Sequence, residues 1–127
     1  MKKTSVEILE KYYGYKSFRK GQEQVIKSVL DGNDVLAIMP TGGGKSICYQ
    51  IPALMMDGLT IVISPLISLM KDQVDSIKNM GVSCAYINSS LGTYEFNEVI
   101  ENLKNNKYKI LYVAPERLES YEFLSAI

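Results

Sequence analysis

Short continuous runs of apolar residues alternate along this chain with stretches whose apolar residues recur at helical spacing. The runs are residues 35–39, 60–63, 84–87 and 109–113, of which the second begins with Thr60 and the last with Lys109 before the apolar residues. A run that is apolar at every position, rather than at alternate positions, is typical of a strand buried on both faces of a parallel sheet. The four runs therefore predict four parallel strands.

The stretches before and between these runs predict amphipathic helices. Thr4 and Glu7 have the spacing of a capping box, so a first helix begins there, and Gly14 ends it. A second helix is expected to end at the turn formed by residues 31–33. The helices after the first are predicted over residues 18–30, 45–56, 65–80 and 96–103.

Alternating strands and helices indicate βαβ units, and hence an α/β fold whose parallel sheet carries helices on both faces. Ligands of such sheets bind at the carboxyl ends of the strands. The loops that begin near Pro40, Ser64, Asn88 and Ala114 are therefore predicted to meet at one edge. Ser64 fits the N-cap of the helix after the second strand, and Pro65 fits its first residue.

Composition narrows the class of protein. The chain has 127 residues, of which 46% are hydrophobic and 22% charged, as expected for one globular domain with a core. No apolar run approaches the roughly 20 residues of a membrane-spanning helix, and no apolar segment of a signal peptide follows the basic N-terminus. A cytoplasmic location is therefore expected.

The titratable and sulfur-containing residues exclude several kinds of chemistry. Lys plus Arg and Asp plus Glu both total 14, so any nucleic acid must be bound by local groups rather than by net charge. The absence of histidine excludes a Ser-His-Asp triad. Cys48 and Cys84 are too few for a disulfide framework and predict two reduced, buried thiols.

A glycine-rich loop, Met-Pro-Thr-Gly-Gly-Gly-Lys-Ser, follows the first predicted strand and precedes a helix. This is the context of a phosphate-binding loop, although Met39 stands where the general pattern has glycine. Its amides would surround phosphate oxygens, Lys45 would act catalytically at the β and γ phosphates, and Ser46 would bind Mg²⁺. The nucleotide-binding residues predicted here are Met39, Thr41, Gly42, Gly43, Gly44, Lys45 and Ser46.

A glutamine lies upstream of this loop, at Gln22. Its side chain offers a donor and an acceptor together, which matches the N6 and N7 edge of adenine. Spacing alone leaves open that Gln22 is an ordinary exposed residue of a helix.

Four blocks in the same order resemble the start of a RecQ-family DNA helicase. Residues 13–22 resemble the adenine-recognition motif of that family, and residues 39–54 resemble its motif I, in which Met39 is an expected residue. Residues 64–74 resemble motif Ia, and residues 112–118 resemble motif Ib. The resemblance thus covers residues 13 to 118.

This resemblance implies a RecA-like P-loop NTPase fold and an ATP-dependent 3′–5′ type DNA helicase that uses Mg²⁺ and acts in DNA repair and recombination. Tyr15 and Arg19 would stack on adenine, and Gln22 would read its edge. The implied partners are single-stranded and junction DNA, with phosphate oxygens held by side chains and by amides at a helix start. The residues implied to contact DNA are Ser64, Pro65, Lys71, Pro115 and Arg117.

Residues 1–127 are expected to form the N-terminal portion of the first RecA-like domain, with a helical adenine-recognition segment at 1–32 and a βα core at 33–127. The resemblance places an acidic Asp-Glu motif and further helicase domains after motif Ib, and no strand ending in Asp-Glu follows that motif up to Ile127. A sheet truncated before that strand would expose an edge and favour self-association.

The alternatives to a helicase are a nucleotide-binding module and a small-molecule P-loop kinase. The isolated chain could be a non-catalytic nucleotide-binding module, because phosphoryl transfer depends on fully positioned charges. A small-molecule P-loop kinase is disfavoured, since it has no use for the segment around Gln22 or for the motifs at Ser64 and Ala114.

Overall fold

The computed structural model describes residues 3–39 and 44–127. The chain divides into two compact units, Met1–Asp57 and Gly58–Ile127. The predicted ligands Thr41, Gly42 and Gly43 lie outside the described residues.

The first unit contains three helices. Thr4 caps the first of them as predicted: its hydroxyl accepts a hydrogen bond from the Glu7 amide at 3.3 Å, and the Glu7 carboxylate accepts one from the Thr4 amide. Gly14 ends that helix in the left-handed conformation, with φ of 77°. The helices are α1 (Ser5–Tyr13), α2 (Gln22–Leu30) and α3 (Lys45–Met55).

The core of the first unit lies where α3 packs against α1 and α2. Leu9 from α1, Ile26 from α2 and Ile51 from α3 are each at most 1% exposed. The Tyr13 hydroxyl donates a hydrogen bond to the Gln50 side chain, which ties the end of α1 to α3. Burial raises the pKa of Tyr13 well above its usual value, so this hydroxyl stays protonated and keeps donating.

The prediction of a strand at residues 35–39 is wrong. These residues form no regular secondary structure, and Leu36 and Ile38 are each 89% exposed. A strand needs a hydrogen-bonded neighbour, and the described part of this unit contains only helices and loops. The second helix also begins later than predicted, at Gln22, because Gly21 adopts a left-handed φ of 88°.

The second unit contains a parallel sheet of three strands in the order β1-β3-β2. Its strands are β1 (Thr60–Ile63), β2 (Cys84–Ile87) and β3 (Ile110–Val113), so three of the four predicted strands are confirmed. Leu111 of β3 pairs with Ile61 of β1 and with Ala85 of β2. The helices are α4 (Ile67–Asn79), α5 (Thr93–Lys104), a 3₁₀ helix (Pro115–Glu119) and α6 (Tyr121–Ala126).

The central strand, β3, is buried along its whole length, as its continuous apolar sequence predicts. Leu111 and Val113 face a core that α5 and α6 complete with Phe96, Ile100 and Phe123. Helix α4 packs against β2 and buries its own apolar face. The unit is therefore an α/β structure with a parallel sheet flanked by helices, which confirms the predicted fold class.

The start of α4 differs from the prediction. The helix begins at Ile67 with Leu66 as its N-cap, rather than with Ser64 as the cap and Pro65 as the first residue. The Ser64 hydroxyl instead accepts a hydrogen bond from the Leu66 amide at 3.2 Å. Serine side chains compete with the helix for nearby amides in this way, so a short turn precedes the first helical residue.

Both cysteines are free and buried, which confirms the sequence prediction. Burial raises the pKa of both thiols, that of Cys84 to about 12. None of the described helices is long and apolar enough to cross a membrane.

We expect slow alkylation of both thiols in the folded chain. The thiolate is the reactive form, and a pKa of about 12 leaves about one Cys84 in 10⁴ ionised at pH 8. Iodoacetamide labelling followed by mass spectrometry should be slow in buffer and fast in denaturant. Equal rates in the two conditions would contradict the burial of the thiols.

Candidate nucleotide and nucleic-acid sites

A cavity of about 410 Å³ opens in the first unit, where the segment before α2 meets the start of α3. This volume falls in the range of about 300–1,000 Å³ that small-molecule sites occupy. Tyr15, Arg19 and Gln22, which are far from the phosphate loop in sequence, line the same cavity as Gly44, Lys45 and Ser46. The structure therefore brings together six of the residues predicted to bind nucleotide.

Gln22 is 2% exposed and links the two sides of this cavity. Its side-chain oxygen accepts a hydrogen bond from the Arg19 amide at 2.8 Å, and its side-chain nitrogen donates one to the Gly44 carbonyl at 3.2 Å. A carboxamide has a further N–H and a further lone pair beyond these two bonds. Gln22 is thus a bridge between the upstream segment and the phosphate loop, which the sequence did not predict.

Gly44 must be glycine for two physical reasons. Its φ is 79°, in the left-handed region that other residues rarely adopt. A Cβ atom built on Gly44 would also overlap the side-chain nitrogen of Gln22. The close approach of Gln22 to this backbone therefore depends on the absence of a side chain.

Lys45 and Ser46 are exposed at the start of α3. The first turn of a helix carries unpaired N–H groups and the positive end of the helix dipole, which together favour an anion. A Lys ammonium and a Ser hydroxyl on this turn are chemically suited to phosphate oxygens and to Mg²⁺.

Met39 is half-buried but does not line the cavity. Its sulfur lies 3.8 Å from the Cys48 sulfur, so it contacts α3. Two lining residues were missed by sequence reasoning: Ser17 and Ile47. Ile47 directly follows a predicted residue, and Ser17 lies two positions from one. This closeness in sequence is the signal that could have identified both.

A second candidate site lies at the carboxyl ends of the three strands, in the second unit. The Ser64 amide donates to the Val113 carbonyl at 3.0 Å, and the Ala114 amide donates to the Ile87 carbonyl at 2.9 Å. The loops after β1, β2 and β3 thus meet at one edge of the sheet, as predicted. Pro40, expected at the same edge, lies outside the described residues.

In the segment from Ser64 to Lys71, fewer hydrogen-bond donors are available for a phosphate than its sequence suggested. The amides of Leu66 and Ile67 already donate within the segment, to the Ser64 hydroxyl and to the Pro65 carbonyl. Lys71 forms an exposed ion pair with Asp75 at 2.9 Å, which raises the pKa of the lysine. Exposed pairs of this kind contribute little to stability, so a phosphate can displace Asp75 at small cost.

Arg117 is held in place on two sides. One guanidinium nitrogen donates to the Asn88 carbonyl at 3.4 Å, and the guanidinium carbon lies 5.0 Å from the centre of the Phe96 ring. Pro115 is exposed at the start of the 3₁₀ helix that carries Arg117. Sequence reasoning identified Arg117 but missed Asn88 and Phe96, which hold it.

Acidic residues do not gather into a metal site in the part of the chain that is described. No group of three or more His, Cys, Asp or Glu side chains is placed to hold a metal ion there. Glu116 and Glu119 follow β3 within the 3₁₀ helix rather than at the end of a strand.

Comparison with known proteins places the chain in a family. Residues 19–125 match the model of the DEAD/DEAH box helicase family, and the chain belongs to that family. It is 56% identical over 118 residues to the ATP-dependent DNA helicase RecQ of Bacillus subtilis and 50% identical over 126 residues to that of Haemophilus influenzae. These alignments cover 92% and 99% of this chain.

A RecQ helicase of Pasteurella multocida is 51% identical over 127 residues. The chain spans 20% of the length of each of these three relatives. The resemblance to RecQ helicases that the four sequence blocks indicated is therefore confirmed.

Proposed function

We propose that this chain is the ATP-binding portion of an ATP-dependent DNA helicase of the RecQ type. The observation that carries the proposal is the cavity of about 410 Å³ in the first unit. Side chains suited to a purine and side chains suited to phosphates line its two sides. A RecQ-type assignment is supported by the relatives of 50–56% identity.

In this proposal the cavity holds ATP. The ring of Tyr15 and the guanidinium of Arg19 stack on adenine, and the remaining hydrogen-bonding capacity of Gln22 reads its edge. Lys45 would neutralise charge on the β and γ phosphates while the γ-phosphoryl group is transferred. The exposed Ser46 hydroxyl, on the first turn of α3, is suited to Mg²⁺, which would neutralise phosphate charge when bound.

DNA is the proposed partner of the carboxyl edge of the sheet in the second unit. Ser64 and Pro65 follow β1, Lys71 lies in the second turn of α4, and Pro115 and Arg117 follow β3. Their side chains and nearby amides are suited to the phosphates of a single strand. Unwinding with 3′–5′ polarity, action on junction DNA, and roles in repair and recombination belong to the proposed whole protein.

Self-association is a further proposal. Strands β1 and β2 each pair only with β3 among the described strands. Unpaired edges of this kind are templates for another chain or for further strands of the same protein.

ATP turnover by residues 1–127 tests whether this chain hydrolyses ATP efficiently by itself. We expect ATP binding but weak DNA-stimulated hydrolysis, because Glu116 and Glu119 lie in a 3₁₀ helix and Glu122 in α6, rather than at the end of a strand. The test measures both quantities on the same preparation. Robust DNA-dependent turnover by this chain would contradict the expectation that it binds ATP but hydrolyses it weakly.

Gln22→Ala should reduce the preference for ATP over GTP by about fivefold, the value of one hydrogen bond. It should also weaken the binding of both nucleotides, because Gln22 bridges Arg19 and Gly44. Titration with fluorescent ATP and GTP analogues measures both effects. Gln24→Ala, on the exposed side of α2, is the matched control. An equal loss for ATP and GTP would remove the role of Gln22 in reading the base.

A further inference from the structure

Asn88 is a buried polar residue at the carboxyl edge of the sheet, directly after β2. It is 1% exposed, although asparagine is usually found at the surface. Burying an amide is unfavourable unless its polar atoms have partners. The bonds that Asn88 makes therefore indicate what this residue does.

Both the side chain and the backbone of Asn88 fix the loop at residues 88–92. The side-chain oxygen accepts hydrogen bonds from the Ser90 amide at 2.8 Å and from the Ser90 hydroxyl. The Asn88 carbonyl accepts one from the Leu91 amide at 3.3 Å. An asparagine that bonds two residues ahead in this way sets the direction of its own carbonyl.

That same carbonyl accepts the hydrogen bond from Arg117 at 3.4 Å. The Phe96 ring lies against the guanidinium on another side, and Nε of Arg117 is buried without a partner among the described residues. An arginine fixed on two sides loses less side-chain freedom when it binds a phosphate. The direction of the Asn88 carbonyl thus determines how Arg117 is presented.

Asn88 also contacts the helix that follows β1. Its side-chain nitrogen lies 3.5 Å from the sulfur of Met70, which is fully buried on α4. One buried residue therefore connects the helix carrying Lys71 with the arginine that follows β3.

We propose that Asn88 is a positioning residue for DNA binding: by fixing its own loop, it presents the guanidinium of Arg117 to a phosphate of single-stranded DNA. This rests on the proposed function, because it assumes that Arg117 contacts DNA. Asn88 itself acts through Arg117 and is not assigned a contact with DNA.

The test measures how salt weakens binding of a fluorescein-labelled oligothymidylate to the full chain. Loss of one phosphate contact lowers the slope of log K against log salt by about 0.7 for a single strand. Arg117→Ala should show this change and weaken binding about tenfold at low salt. Asn88→Ala should show the same lower slope, with about three- to tenfold weaker binding.

The double variant should lose little more than Arg117→Ala alone, because both substitutions remove the same contact. Asn97→Ala, an exposed asparagine of α5, is the matched control and should leave slope and affinity unchanged. Ser90→Ala removes one hydrogen bond to Asn88 by changing an exposed residue, so it should disturb the fold little. It therefore tests the same loop if Asn88→Ala fails to fold. It should weaken binding about two- to threefold, and only when Arg117 is present.

The outcomes separate the two proposals. If Arg117→Ala lowers the slope while Asn88→Ala and Ser90→Ala do not, or if the effects add, the positioning role is overturned and the DNA site at Arg117 stands. If Arg117→Ala itself leaves the slope unchanged, both the DNA contact and the positioning role are overturned. A lower slope shared by Asn88→Ala and Arg117→Ala, with no further loss in the double variant, supports the inference.

Discussion

Lys45→Ala should abolish measurable binding of ATP to this chain. Lys45 stands on the first turn of α3 and lines the cavity in which Gln22 and Gly44 meet. Hydrogen bonds from a charged donor to phosphate are among the strongest in proteins, so removing the ammonium should weaken binding by about 100-fold or more. Isothermal titration with ATP and Mg²⁺ measures this change.

Lys27→Ala is the matched control for this substitution. Lys27 is an exposed lysine of α2 in the same unit, so its removal changes the net charge equally. We expect its affinity for ATP to stay within about twofold of the parent chain, since exposed charges outside a site interact weakly. Unchanged affinity in Lys45→Ala would mean that this cavity is not the triphosphate site.

Gly44→Ala should weaken nucleotide binding while leaving most of the fold intact. Alanine at a φ of 79° costs about 1–2 kcal/mol. Its Cβ would also displace the Gln22 side chain, which is buried and bonded to Arg19 and to Gly44 itself. Either change moves the start of α3, so we expect at least about tenfold weaker ATP binding because such sites tolerate little displacement.

The control for Gly44→Ala separates backbone strain from the contact with Gln22. Gly32 has a similar φ of 89°, and a Cβ atom there would meet open space. Gly32→Ala should therefore lower the free energy of unfolding by a comparable amount without weakening ATP binding. If Gly32→Ala weakened ATP binding equally, general destabilisation rather than the Gln22 contact would explain the result.

Combining Gly44→Ala with Gln22→Ala tests the same contact between these two residues. In Gln22→Ala the side chain that Gly44→Ala would displace is absent. The two substitutions together should therefore weaken ATP binding by less than the product of their separate effects. Independent, multiplying effects would mean that the two residues do not act through their mutual contact.

Local sequence correctly predicted several helix ends and strands. The capping box at Thr4 and Glu7 and the left-handed Gly14 were both confirmed, because helix ends are set by hydrogen bonds within a few residues. Strands β1 and β2 appeared at the predicted residues, since continuous apolar sequence is the mark of a strand in a parallel sheet.

Two predictions failed where the local pattern is compatible with more than one structure. Residues 35–39 have the same apolar pattern as the confirmed strands, yet they form none and expose Leu36 and Ile38. A strand is stabilised by its neighbour, and sequence alone does not reveal whether one is present. The start of α4 was misplaced because the Ser64 hydroxyl bonds Leu66 instead of capping the helix.

The sequence by itself determined the chemical identity of the candidate sites: a phosphate-loop lysine and serine, a glutamine suited to adenine, and the four blocks that indicate a RecQ-type helicase. Only the tertiary structure decided how these groups are held. Gln22 is bonded to Gly44 across 22 positions of the chain, and Arg117 is bonded to Asn88 across 29. Contacts of this range depend on how helices and strands pack, and no local pattern of residues encodes them.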